Sequence, residues 1–312
     1  MKYKIKRSED RRVAIFDEKG NQISQWFDWI KMYGLIEGES EYFIAEEAGK
    51  VSIFHRDGRR ISDWFDDIHP FGLVVGESKY YIAKKDGKWA IFDINGNRIS
   101  EWFDWIWEDG LVKGESEYYV VVKDKKYAIF DVNGNRVSEW YDWINLDGLV
   151  RGKSKYYIAQ KGKKRNSKFA IFDVNGNQIT EWYDVVWGYG LVKGESFLYI
   201  AEKGKKVAIF DKDGKRISEL FDEVSPYGLV KGESDYYIAC NENTCAVYYK
   251  DGKKVSDDFS RNYVKKAEKI TFNENLGVVE LFNKNGNLIK TIDFNPIYPF
   301  KEEIIDYTKL LN

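Results

Sequence analysis

Six passages of this chain end on nearly the same tripeptide: Trp26-Phe27-Asp28, Trp64-Phe65-Asp66, Trp102-Phe103-Asp104, Trp140-Tyr141-Asp142, Trp182-Tyr183-Asp184 and Leu220-Phe221-Asp222. Successive copies start 38 residues apart, with one interval of 42. Gly-Leu-(Val/Ile) follows each copy, at Gly34, Gly72, Gly110, Gly148, Gly190 and Gly228. A run of the type Ala-Ile-Phe-Asp precedes each, at Ala14, Ser52, Ala90, Ala128, Ala170 and Ala208, with a weaker version at Ala246. A unit this short cannot bury a core alone, so its copies must stack and shield one another. The long interval has a local cause. Lys161–Lys168, KGKKRNSK, is four residues longer than its counterparts and falls between two strand-like runs, where an insertion costs little.

Residues 110–147 illustrate one unit. GLVKG (110–114), SEYYVVVK (116–123), KYAIFD (126–131) and RVSEWYD (136–142) read as four short strands. Asn133-Gly134 predicts a type I′ hairpin turn between the last two, and DGK-like sequences predict another tight turn in several units. Both faces of these runs are apolar, as with Ile99, Phe103 and Trp105 opposite Trp102 and Ile106. A sheet with one wet face would alternate, so each small sheet is expected to touch protein on both sides. No helical period stands out except in the tail near Ile304–Leu311.

The expected fold is all-β: a single repeat domain over 1–312, built from four-stranded units of about 38 residues. Clear repeats span 3–234 and degenerate ones 235–295, including a seventh unit over Tyr236–Phe259 and an eighth over Ile270–Ile292. Tyr3-Lys4-Ile5 matches a second strand, and PIYPFKEE (296–303) loosely matches SPYGLVKGE (225–233). The segment 296–312 is therefore expected to supply the missing strand and close an eight-bladed β-propeller, which removes exposed edges. The alternative is an open β-solenoid or hairpin array whose degenerate units act as caps.

GLVVGESKYYIAKKDGKWAIFDINGNRISEWFD (72–104) resembles the WG, or KWG, repeat of bacterial proteins. Gly87-Lys88-Trp89, Phe92-Asp93, Gly96 and Phe103-Asp104 carry the likeness, which spans about 11–240. Ala90 departs from the pattern, standing where the second signature letter is Gly. The resemblance implies a β-rich repeat protein and brings no catalytic residues with it.

Hydrophobic residues make up 43% of the chain and aromatics 17%, so core material is plentiful. Lys and Arg number 49 against 51 Asp and Glu, a balance that argues against bulk attraction to nucleic acid or anionic lipid. Cys240 and Cys245 have a spacing that permits a hairpin bridge; they are read as two free thiols. MKYKIKRSEDRRVAIF contains no signal-peptide core, and no run approaches the ~18 apolar residues of a membrane span. A cytoplasmic location is the expectation, with no membrane partner and no cofactor.

The repeated Trp (26, 64, 102, 140, 182) has the chemistry to stack on sugars, but Leu220 replaces it in the sixth unit, which a packing site tolerates better. The repeated Asp at 28, 66, 104, 142, 184 and 222 is read as fixing a turn through backbone N–H groups, against a ring of carboxylates for cations. His55 and His69 have no partner spaced for metal. Candidate binding residues are those that break the repeat: Trp29, Trp105 and Trp143 after the Asp, Trp107 and Trp187 in the next connection, and Lys163, Lys164 and Arg165 in the insertion. No catalytic motif stands out. The expected function is a non-catalytic scaffold for a protein partner. The alternatives are a multivalent carbohydrate-binding ring and, behind it, an enzyme with a site at the ring centre.

Overall fold

A computed structural model describes residues 3–297. The chain forms repeated antiparallel sheets of two to four strands. It divides into two compact units: residues up to Ala201 with Lys212–Gly214, and Glu202–Asp211 with residues from Lys215 onward. The first unit holds a two-stranded sheet of β1 (Lys4–Arg7) and β2 (Val13–Phe16), followed by four three-stranded sheets. The second holds a four-stranded sheet over Glu223–Ser260 and a three-stranded sheet over Lys269–Asp293. One sheet of the common build, ending at Lys206–Asp211, falls on the division. The proposed closing segment lies outside the described residues beyond Ile297, as does the tail near Ile304–Leu311.

In a typical sheet, a two-residue edge strand (Trp105–Ile106) pairs with a middle strand (Tyr118–Lys123), which pairs in turn with a far strand (Lys126–Asp131). Three consecutive residues of the middle strand, Tyr119, Val120 and Val121, are fully buried, so protein covers both faces as the sequence predicts. Across these two strands Tyr119 stacks on Phe130, as Tyr81 does on Phe92 and Tyr157 on Phe172, with ring centroids 5.4–5.9 Å apart. The second aromatic of the preceding repeat's tripeptide then tilts onto the same ring: Phe103 on Phe130 at 5.3 Å, Phe65 on Phe92 at 5.0 Å. Each repeat thus wedges one ring into its neighbour, worth about 1 kcal/mol per pair beyond the area it buries.

Four expectations need correction. The Gly-Leu-Val segment is a run of turns, not a strand; the two-residue strand ahead of it occupies the sheet edge. The fourth run of the first six units is likewise not a continuous strand. Ile99 N–H bonds Ile91 O and Phe103 exchanges two bonds with Trp89, but Ser100 Oγ accepts the Ile91 N–H at 2.9 Å. A buried hydroxyl there takes the place of a ladder carbonyl, and the backbone bulges around it. The Asn-Gly turn is type I, closed by Gly134 N–H to Asp131 O, with Gly134 at φ 80° as the bulge residue. Positive φ at two successive residues occurs in the other hairpin, at Asp86-Gly87 and Asp124-Lys125. Finally, Cys240 and Cys245 are directly opposed in register and form a disulfide.

The eighth unit is legible as expected: Lys269–Asn273, Val278–Phe282 and Leu288–Asp293 pair in order, and here the last run is a true strand. One short helix, α1 (Arg261–Lys266), precedes it, capped by Ser260 Oγ and anchored by buried Val264. Among the described residues no helix is long and apolar enough to cross a membrane.

Candidate functional site

The connection after each edge strand is the most strongly constrained part of the repeat. Gly110 has φ 83°, and a Cβ there would come within 3.0 Å of Val150 O and Cγ1 in the next repeat. Its N–H is held by Glu115 Oε2 at 2.8 Å, and Leu111 N–H bonds Tyr118 O at 2.8 Å. Ser116 Oγ then donates to Val150 O of the following repeat, as Ser78 does to Val112 O and Ser154 to Val192 O at 2.6 Å. The frame is therefore rigid and locked to its neighbour. The repeated Asp adds a second lock. Asp142 takes the Lys126 ammonium of its own repeat on Oδ1 and the Gly162 N–H of the next repeat's hairpin on Oδ2. Asp66 and Asp104 do the same with Lys50 and Lys88 and with the Asp86 and Asp124 N–H groups. Hydrogen bonds from these lysines hold the carboxyls of Asp66, Asp104 and Asp142 below the usual aspartate range. The turn-fixing role expected of this residue is what the geometry shows.

On that frame sit side chains that do not repeat. Directly after the edge strands come Lys31, His69, Trp107 and Asn145; before the glycines come Tyr33, Phe71, Asp109 and Asp147. Lys31 Nζ reaches Asp67 Oδ1 at 2.9 Å and Ile68 O at 3.1 Å. The His69 ring lies 4.6 Å from Trp89 and 5.3 Å from Trp105, and burial holds its pKa below the ordinary histidine value. Asp109, 6% exposed, meets Lys113 at 3.4 Å and Arg151 at 3.3 Å. Arg151 also bonds Asp147 at 2.9 Å, and Lys193 lies 4.0 Å from the same carboxylate. Lys113 and Lys193 cover the rings of Phe71 and Tyr189. A strip of alternating charges and aromatics thus runs over successive connections of the first unit.

Of the residues singled out from sequence, Trp105 joins this strip through His69. Trp107 is partly buried, packed among Tyr127, Leu146 and Ile144, with its indole N–H lacking an acceptor among the described residues. Trp187 is partly buried as well. Trp29 and Trp143 stand exposed on their edge strands. Lys163, Lys164 and Arg165 are exposed on a 3-10 turn over Lys164–Asn166, in a hairpin and not in a connection. The repeated Trp packs edge-on against the far-strand Phe, Trp102 on Phe92 at 5.9 Å and Trp140 on Phe130 at 6.2 Å, which is a packing role. Sequence reading missed Asp109, Lys113, Asp147 and Arg151. The signal was present: in two adjacent repeats an acid replaces the aromatic before Gly, with a cation four residues on. Among the described residues no group of three or more His, Cys, Asp or Glu is placed to hold a metal ion.

No family model matches the chain, and no curated protein does. Among solved structures, a eukaryotic initiation factor superimposes with TM-score 0.37 at 10% identity, over 95% of this chain and 96% of its own. Hsv2 of Kluyveromyces lactis follows with TM-score 0.32 at 11% identity, over 82% and 94%. The tricorn protease gives TM-score 0.30 at 14% identity, over 86% and 30%. Likenesses this loose define neither family nor activity. The sheets themselves define the class: an all-β protein built from repeated antiparallel sheets that shield one another.

Proposed function

We propose that this chain is a non-catalytic binding scaffold, that its partner is a protein, and that the strip of connections in the first unit is a docking surface. One observation carries the reading: the frame repeats almost without change while the side chains it displays do not, and those side chains link into one network from Asp109 through Arg151 to Asp147 and Lys193. Charges of both signs interleaved with aromatics suit a protein surface and not a polyanion. The resemblance to WG repeats implies a β-rich repeat protein and brings no catalytic residues, which fits the non-catalytic part of this reading. Affinity capture from the protein's own cells tests the reading. A specific partner should be retained by the native chain and weakened about tenfold or more by Arg151→Ala or Lys193→Glu, with thermal melting showing the variants folded. Partners that bind these variants as well as the native chain would remove the strip from the proposal.

A carbohydrate partner is the second reading, favoured by Trp29 and Trp143. They occupy equivalent positions and are 49% and 37% exposed. Glycan binding abolished by Trp29→Ala with Trp143→Ala would establish it. A cytoplasmic location meets a counter-observation in the Cys240–Cys245 disulfide, since such bonds persist mainly in oxidising compartments. Thiol trapping in intact cells distinguishes the two.

A further inference from the structure

The first repeat presents a different surface, an open strand edge beside the first connection. In the sheets that follow it, the middle strand carries an edge strand on its second side. Asp28 N–H bonds Glu46 O and Lys31 N–H bonds Ile44 O, both at 3.0 Å, and the same bonds recur from Asp104 to Val122 and from Trp107 to Val120. In its two-stranded sheet β1 holds the place that the middle strand holds in the others: Ile5, Lys6 and Arg7 face Ile15, Ala14 and Val13 as Ile44, Ala45 and Glu46 face Ile53, Ser52 and Val51. No described residue pairs with its second side. Ile5 is accordingly part-exposed, whereas Ile44, Ile82 and Val120 are fully buried.

The residue just past each edge strand plugs the space beside the next one. Lys31 fills it by reaching Asp67 and Ile68, His69 by packing against Trp89 and Trp105, which also touch each other, and Trp107 by packing with Val120, Tyr127 and Ile144. At the first repeat the corresponding space is a cavity of about 190 Å³, lined by Ile5, Arg7, Val13, Trp29, Ile30 and Met32. Trp29 and Met32 stand about half exposed at 49% and 53%. The walls are apolar apart from one guanidinium, and Lys4, Lys6 and Arg7 are exposed along the strand. A strand laid here would find backbone partners, an apolar pocket for one large side chain, and cations for its acids.

We propose that β1 and this cavity dock an extended acidic segment of a partner protein, with the pattern Asp–apolar–Ile–aromatic followed by further acids. The chain itself shows that the pattern fits: residues 104–109, DWIWED, occupy the equivalent edge three sheets further on. This site goes beyond the strip of connections and does not depend on what that strip binds.

The test uses a fluorescent peptide of residues 103–112, FDWIWEDGLV, titrated with the full chain and followed by anisotropy. Saturable one-to-one binding is expected. Arg7→Glu, an exposed change checked by thermal melting, should weaken it about tenfold or more. Replacing the peptide's second Trp by Gly should weaken it comparably, and Pro in place of its Ile should abolish it, neither of which touches the protein's folding. The proposal is overturned by no saturation up to about 1 mM, by equal binding of a scrambled peptide, or by an affinity indifferent to Arg7→Glu. It is also overturned if only a chain ending at Ile297 binds, which would mean the edge is already covered. A concentration-dependent dimer that Arg7→Glu dissociates, without peptide binding, would assign the edge to a second copy instead.

Discussion

Tyr81, Tyr119, Tyr157 and Tyr237 are fully buried, and their hydroxyls have no hydrogen-bond partner among the described residues. Burial, with nearby carboxylates adding to it, pushes their pKa values up, so they stay neutral at any working pH. The first three-stranded sheet does without the hydroxyl: Phe43 stacks on Phe54 at 5.6 Å. An unpaired buried hydroxyl is a liability that an isosteric apolar ring removes. Tyr119→Phe should therefore leave stability unchanged or raise it by up to about 1 kcal/mol in a denaturant melt; a clear loss would show that the hydroxyl carries a bond. His69 makes an opposite kind of prediction. Burial depresses its pKa below 6.5, opposed by Glu108 and Asp67 and aided by Lys31. The unfolded chain thus takes up the proton first as pH falls. The ring's contribution is complete above about 6.5 and is lost as pH drops from there toward the folded value. The melting temperature of the native chain should fall through that window, and that of His69→Phe should fall less.

The hairpins and connections show what a sequence discloses about elements. Gly110 and Gly87 read alike in the sequence, and both have positive φ, 83° and 78°. Gly87 has open space where a Cβ would go, whereas Gly110 faces the next repeat's Val150 backbone. Gly87→Ala should cost about 1 kcal/mol, the left-handed penalty alone. Gly110→Ala should cost more than about 3 kcal/mol, because the neighbouring repeat must move as well. Chemical denaturation of the two variants measures the difference. The period, the tight turns and the two-faced burial were legible because each depends on residue type at fixed spacing. The exchange of a ladder carbonyl for Ser100 Oγ was not, since RISEWFD (98–104) has strand-like composition and nothing local announces a bulge. The Asn-Gly turn misled for a related reason. Asp131 Oδ1 accepts the N–H groups of both Asn133 and Asn135, which stabilises a type I turn and leaves positive φ to Gly134 alone. The missed ion network has the same origin: Asp109 and Arg151 lie 42 residues apart and meet only because consecutive repeats stack.

At the scale of the molecule the two units use different fastenings. The first relies on repetition, with Ser–carbonyl, Asp–Lys and ring contacts recurring between consecutive sheets. The second keeps an Asp lock, Asp222 holding Lys206 and the Glu242 N–H, and then departs from the pattern. Ser234 Oγ turns to the Glu274 carboxylate, and the disulfide is buried in one cluster with Val264 of α1. The positions of Cys240 and Cys245 are filled elsewhere by Glu46–Val51, Lys84–Trp89 and Val122–Tyr127, pairs that hold without a covalent link. Reduction should therefore leave the fold intact and loosen only the second unit. The closed loop is short, so the loss should be about 2 kcal/mol. Hydrogen exchange under reducing conditions locates the effect. Protection should fall in peptides from 236–282 and stay constant in peptides from 80–131. Cys240→Val with Cys245→Val should reproduce that pattern without reductant. A uniform loss across both regions would mean that the units unfold together, and that the disulfide secures the whole chain and not one half of it.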